Sequence, residues 1–237
     1  MLQEKLNLLL QKYGVDRPAV IGEQDGSYTV TIGKKTLPIL SQRFERRFTE
    51  LKKMLHDGTL TGISVVRCND LTDISVPLMR TVRRELDLCR FLTGREIVSL
   101  SAYVSGDRAV NILAVLDNDV NCIIEVANTL PIGTVRIDKH EVISARGLVC
   151  DRVVDTQIPQ QSVYLYADHS ETYTDVDFEL YGLSVEQISA VRGALAMASS
   201  EDLCRETEDA AKVLDLLVAC VDEAVRSGKK VMVKRCK

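Results

Sequence analysis

Apolar positions along this chain change period twice, and the changes divide it into three stretches. Leu2, Leu6, Leu9 and Leu10 recur at the spacing of one helical face, and Tyr13-Gly14 ends that run. Pro18 falls in an extended linker. Residues 28–32 and 36–40 then alternate around Gly33-Lys34-Lys35, which predicts two short strands joined by a turn. Phe48, Leu51 and Leu55 restore the helical period over residues 46–56, where Asp57-Gly58 stops it. A strand over 63–68 follows. A helix starting near Pro77 then carries Leu78, Val82, Leu86, Cys89 and Leu92 inward and ends at Gly94, a glycine in the position of a left-handed cap.

Beyond Gly94 the period falls to two. Residues 97–104, 110–116, 120–127, 134–137, 141–145, 147–154 and 162–166 form a succession of strand candidates, and Asp117-Asn118-Asp119 is a hairpin turn by composition. Turn-length links imply antiparallel or mixed pairing, because a parallel pair needs a long crossover. The acidic stretch 168–177 reads as a solvated loop. Helical spacing returns at 184–197 and 207–227, with Thr207-Glu208-Asp209 at one start and Gly228 past the end. The predicted fold class is α+β: a large, mostly antiparallel (mixed) sheet with helices packed on one face. Alternation on Val110, Ile112, Ala114 and Leu116, and on Cys122, Ile124 and Val126, turns Leu113 and Ile123 the other way. Both faces of the central strands therefore carry apolar side chains, as a sheet covered by helices on one side and a partner on the other requires.

Composition narrows the function classes. The chain has 237 residues and a formal net charge of -4, so it can bury a core and has no overall electrostatic drive toward nucleic acid or an anionic membrane. The basic residues between Arg43 and Lys53 are interleaved with Glu45 and Glu50, the pattern of a solvated helix face. No apolar run reaches the roughly 18 residues of a membrane span, and the N-terminus is amphipathic, unlike a signal peptide. The expectation is a soluble, cytoplasmic chain with no nucleic acid and no membrane partner.

Seven cysteines form no CxxC pair, so neither a metal nor a disulfide framework is predicted from spacing. Cys122, Cys150 and Cys220 sit in apolar runs and read as buried, inert thiols. His56, His140 and His169 each sit by a charged or turn residue and read as surface side chains. No Ser-His-Asp or Cys-His motif is present, and no catalytic residue is assigned.

Several pieces nevertheless stand in a recognisable order. Gln42-Arg43-Phe44, Phe48, Leu51-Lys52, His56-Asp57-Gly58-Thr59-Leu60 and Ser64-Val65 come first, followed by Asp87-Leu88, Arg90-Phe91-Leu92-Thr93-Gly94 and Ile97-Val98-Ser99. Glu141-Val142-Ile143 with Arg146-Gly147-Leu148-Val149, and Glu208-Asp209-Ala210-Ala211 with Gly228-Lys229-Lys230-Val231, complete the series. Together they resemble the second, sheet-forming domain of the glucose-fructose oxidoreductase and inositol dehydrogenase family over residues 37–233, although Ser144-Ala145 stands where that family usually has a glycine and a threonine. The resemblance implies an N-terminal helix and hairpin appendage at 1–36 and the family-like α+β domain at 37–237.

The same resemblance implies what is missing. Gly14, Gly22, Gly26 and Gly33 form no G-x-G-x-x-G turn, and the family's Lys-Pro dipeptide does not occur, so the nucleotide-binding half and its cofactor are expected to be absent. Registered on Asp87-Leu88, the family's catalytic Asp and, four residues later, His fall on Arg80 and Arg84. Arginine stays protonated and takes no proton from a hydroxyl group. Arg80 and Arg84, with Arg83 beside them, become candidate ligand-binding residues for a carboxylate or phosphate; the alternative is pairing with acidic side chains such as Glu85. The function expected is a non-catalytic binding or oligomerisation module with no cofactor and no metal, forming a homo-oligomer through the sheet. The alternative is the substrate-binding subunit of a split NAD(P)-dependent sugar- or inositol-type dehydrogenase, completed by a separate nucleotide-binding chain.

Overall fold

The computed structural model describes residues 1–152, 162–166, 170–174 and 179–234. In chain order these residues form α1 (Leu2–Lys12), β1 (Ala19–Gln24), β2 (Ser27–Ile32), β3 (Lys35–Pro38), a 3-10 turn (Ser41–Phe44), α2 (Arg46–His56), β4 (Ile63–Asp73) and α3 (Leu78–Thr93). They continue with β5 (Ile97–Ser105), β6 (Ala109–Leu116), β7 (Asn121–Leu130), β8 (Ile137–Ser144), β9 (Gly147–Cys150), β10 (Ser162–Tyr166) and β11 (Ser170–Thr174). α4 (Val185–Ser199), α5 (Glu201–Ser227) and β12 (Val231–Met232) close the order. No helix among the described residues is long and apolar enough to cross a membrane.

By packing, the chain divides into two units. The first joins Met1–Phe48 to Val176–Val213. Its core is apolar throughout: Leu6, Leu9 and Leu10 of α1 meet Val30 and Ile32 of β2, Leu37 of β3, and Val191, Ala194 and Met197 of α4. α4 starts with a capping box, in which the Ser184 hydroxyl accepts from the Gln187 backbone N–H while the Gln187 side chain accepts from the Ser184 N–H. β1 forms where a linker was expected. Ala19 is its one buried residue, so no alternation marks it, and it exists by backbone pairing with β2 from Ala19↔Ile32 to Gln24↔Ser27. Asp25 and Gly26 link the two strands with positive φ at both positions, the geometry that matches strand twist in a two-residue hairpin.

The second unit joins Thr49–Asp175 to Leu214–Lys237. Among the described residues its sheet runs β11-β10-β9-β8-β4-β7-β6-β5-β12. Only β4 and β7 pair in parallel; the other neighbours are antiparallel, which makes this the mixed α+β sheet that the pattern predicted. α3 lies over β4 and β7 and ends at Gly94 with φ 64, the left-handed cap expected there. Leu113 and Ile123, which alternate away from the helix side, are exposed at 47% and 36%.

Two element boundaries differ from expectation for one physical reason. β4 runs on to Asp73 because its inward positions past Cys68 are Asp70 and Thr72, buried but polar. β8 fuses the two predicted pieces 134–137 and 141–145, since its inward positions Asp138 and His140 are polar as well. β11 occupies part of the stretch read as a solvated loop, held by antiparallel register to β10 from Ser162↔Thr174 to Tyr166↔Ser170. α5 also starts earlier than expected, at Glu201, with Glu201 and Asp202 favourably placed at its N-terminal dipole.

Candidate functional site

Strand alternation and register assemble the site. On β4 the residues Val66, Cys68, Asp70 and Thr72 face the helix side, and on β8 so do Asp138, His140 and Val142. Antiparallel pairing sets Cys68 opposite His140 and Asp70 opposite Asp138. α3 brings Arg84, Glu85 and Cys89 onto these four side chains, and Asp151 follows directly after β9. Asp70, Glu85 and His140 are fully buried, and Asp138, Asp151 and Arg84 are buried at under a tenth exposure.

His140 is the hub. Its Nδ1 lies 2.7 Å from Asp151 Oδ2 and its Nε2 lies 2.9 Å from Glu85 Oε2. The backbone completes the arrangement: His140 N–H donates to Asp151 Oδ1 at 2.7 Å, and Asp151 N–H donates to the His140 carbonyl at 3.1 Å. Burial alone would drive the imidazole neutral, but Asp151 and Glu85 outweigh it and hold His140 well above the ordinary histidine range, so both ring nitrogens donate. Burial likewise opposes ionisation of Glu85, yet His140 and Arg84 pull its carboxyl down to about 2.

Arg84 carries the network further. It donates to Glu85, to Asp70 Oδ2 at 3.3 Å and to Asp138 Oδ2 at 3.3 Å. Arg136 adds a second guanidinium, with Nε 3.3 Å from Asp70 Oδ1. Asp70 differs from Glu85 in outcome: burial raises its carboxyl to about 7, with Arg136 and Arg84 offsetting only part. Next to the charges lies a thiol group. Cys68 and Cys89 have their sulfurs 3.8 Å apart, and ligand atoms of Cys68, Glu85 and His140 all fall within 4.8 Å of one another.

The residues singled out from sequence fall in different places. Arg84 is at the centre of this network, Arg80 is half-buried one turn earlier, and Arg83 pairs with Asp215 of α5. His56 lies at the end of α2 with Nε2 3.0 Å from the Leu92 carbonyl. His169, expected at the surface, lies outside the described residues. His140 was expected at the surface and is fully buried. Its polar neighbours made Asp138-Lys139-His140-Glu141 look like a loop, but in a strand Lys139 and Glu141 turn outward while Asp138 and His140 turn inward. A period-two reading of a polar segment is the signal that finds them. Cys68, Glu85, Cys89 and Asp151 were not singled out as a group at all, because their proximity arises from strand register and helix docking.

The opposite face of the sheet carries a groove of about 330 Å³ whose lining includes Arg67, Asn69, Ile123, Glu125, Lys139 and Glu141. Its polar side chains are paired: Arg67 to Glu141 across strands at 3.2 Å, Lys139 to Glu141 along β8 at 3.1 Å, and Asn69 to Glu125 across strands at 3.4 Å.

This arrangement has relatives in fold. No protein-family model and no curated protein matches the chain. Among solved structures, an oxidoreductase domain protein from Kribbella flavida superposes with TM-score 0.63 at 14% identity, covering 83% of this chain and 65% of that one. Levoglucosan dehydrogenase, in complex with NADH and levoglucosan, gives 0.66 at 13% identity, covering 83% and 65%. The transcriptional regulator Gal80p from Kluyveromyces lactis gives 0.69 at 12% identity, covering 83% and 62%. The chain therefore shares the fold of these oxidoreductase-type proteins, and it spans less than two thirds of their length.

Proposed function

We propose that this chain is a non-catalytic binding and oligomerisation module built on the sheet-forming half of a dehydrogenase fold, with residues 1–36 as an added helix and hairpin. The observation that carries this reading is Arg84. The position where the family resemblance calls for a proton-transferring histidine holds a guanidinium already engaged by Asp70, Glu85 and Asp138. A group that stays cationic and is locked by three carboxylates serves packing, not proton transfer. That the transcriptional regulator Gal80p shares the fold is consistent with a non-catalytic role.

The module assembles as a twofold dimer through the outer sheet face, where Leu113, Ile123 and Tyr103 are exposed at 47%, 36% and 63%. The anion-binding role expected of Arg80 and Arg84 is kept as part of this proposal, with Arg84 also held by Asp70, Glu85 and Asp138. Three measurements test the reading. Thermal stability in NAD(H) or NADP(H) at about millimolar concentration should not change, and a concentration-dependent rise would instead favour the split dehydrogenase. Light scattering at tens of micromolar should give a dimer that Leu113→Asp or Ile123→Asp separates; a wild-type monomer would remove the oligomerisation half. Equal affinity of wild type and Arg80→Ala for sulfate and sugar phosphates would remove the anion role.

A further inference from the structure

We propose that Cys68, Cys89, His140 and Glu85 form a closed, four-ligand site for a divalent ion of the zinc class beneath α3. The fold presents these groups as two crossed pairs. Glu85 and Cys89 stand four residues apart on α3 and so share one face, one turn from each other. Cys68 and His140 are direct cross-strand partners on β4 and β8, both turned toward that helix face. A pair above set against a pair below supplies the four corners of a tetrahedron.

The distances fit that shape. A tetrahedral zinc–sulfur bond of about 2.3 Å requires sulfurs about 3.8 Å apart. The Cys68 and Cys89 sulfurs lie 3.8 Å apart. Cys68, Glu85 and His140 place their ligand atoms within 4.8 Å of one another, a group that leaves out Cys89, so Cys89 completes the shell by moving in from its place beside Cys68 as the other three adjust by about an ångström. Two thiolates and an imidazole select zinc over calcium or magnesium, which prefer all-oxygen shells. Four protein ligands leave no open position, so the site is structural.

The surrounding contacts support the ligands. Asp151 takes the His140 Nδ1–H at 2.7 Å, which aims Nε2 at the ion in the carboxylate–histidine–metal arrangement. Arg84 holds the Glu85 oxygen that faces away from His140. Binding releases the Nε2 proton and both thiol protons to solvent. The imidazolium and the incoming dication together carry three positive charges, and these leave as the three released protons, so that the ion, two thiolates and neutral imidazole carry no net charge between them.

The test is refolding of the full chain from denaturant, under reductant, with Zn²⁺ or Co²⁺, followed by gel filtration and elemental analysis. Retention of about one equivalent per chain is expected, and the Co²⁺ form should show the thiolate-to-cobalt charge-transfer band and the intense visible bands of tetrahedral coordination. Cys68→Ser and Cys89→Ser should each weaken Co²⁺ binding at least about tenfold, whereas Cys204→Ser, in the other packing unit, should leave it unchanged. The wild-type cobalt spectrum decides the question even if a variant fails to fold. Metal-free wild type after refolding, a cobalt spectrum without the thiolate band, or full metal retention by both Cys68→Ser and Cys89→Ser would each overturn the proposal.

Discussion

Both packing units bury apolar side chains, and they differ in the charge buried with them. The first fills its core with Leu6, Leu9, Val30, Val191 and Met197, and the charge it buries is the neighbouring pair Arg47 and Glu45. The second places Asp70, Glu85, Asp138 and His140 at the same depth, each at under 5% exposure. An apolar core is held by non-directional burial, so it tolerates changes that keep volume. A core of paired charges has already lost the hydration of every member, and its attraction compensates only while all the partners stay. The first unit is therefore expected to fail by shape and the second by charge.

The largest expected effect follows from removing one charge. Arg84→Ala leaves Asp70, Glu85 and Asp138 facing each other without the guanidinium that joins them, and should destabilise the protein by about 3–5 kcal/mol in urea denaturation. A loss under about 1 kcal/mol would mean that the network is better solvated than its burial implies, and the contrast between the units would collapse.

Paired isosteric changes sharpen the comparison. Glu85→Gln keeps the shape of a fully buried side chain but removes the charge shared by His140 and Arg84, and should cost about 3 kcal/mol. Leu6→Met makes a comparably small change in shape at an equally buried position and should cost less than about 1.5 kcal/mol. Equal losses would show that both cores respond to shape alone.

The pH profile should carry the same signature. Glu85 ionises at about 2 when folded against an ordinary 4.5, so its contribution is present above 4.5 and is lost as pH falls toward 2. Asp70 acts in the other sense: its folded value is about 7 against 3.8, so its contribution is present below 3.8 and is lost as pH rises toward 7. Stability should peak near pH 4 to 5, between these two limbs. Asp70→Asn should flatten the neutral limb and Glu85→Gln the acid limb, as read by denaturation at stepped pH. A profile unchanged by either replacement would show that these groups do not set it.

Legibility in the sequence followed the same division. Where burial is apolar, period alone located the elements: α1 from its leucines, β6 and β7 from strict alternation, and the end of α3 from Gly94. Where inward positions are polar, the period was hidden. Asp70, Asp138 and His140 alternate as regularly as valines would, yet their chemistry reads as surface, so β4 came out short and β8 came out split. β1 was hidden differently, since pairing with β2 leaves no apolar trace. The candidate site was the least legible part. Arg84 was found through a family register, but Cys68 and His140 meet only through strand pairing, and Glu85 reaches them only through helix docking. No spacing rule contains that information.

The smallest effect tests the first unit on its own terms. Gly193, inside α4, has a position where an added Cβ would stand 2.6 Å from Ile39 Cγ2 and 2.9 Å from Phe44 Cδ2. Ile39 is β-branched and buried, so its methyl cannot swing away, whereas the partly buried Phe44 ring can yield. Gly193→Ala gains about 1 kcal/mol of helix propensity and loses about 1–3 kcal/mol to overpacking, so a net loss of about 1 kcal/mol is expected. Shortening the opposing side chain in the double variant Gly193→Ala, Ile39→Val leaves the Cγ2 branch in place and should not restore stability, while Gly193→Ala, Ile39→Ala should show favourable coupling in a double-mutant cycle. A Gly193→Ala protein more stable than wild type would mean that propensity outweighs packing there, and that the apolar core is looser than its burial suggests.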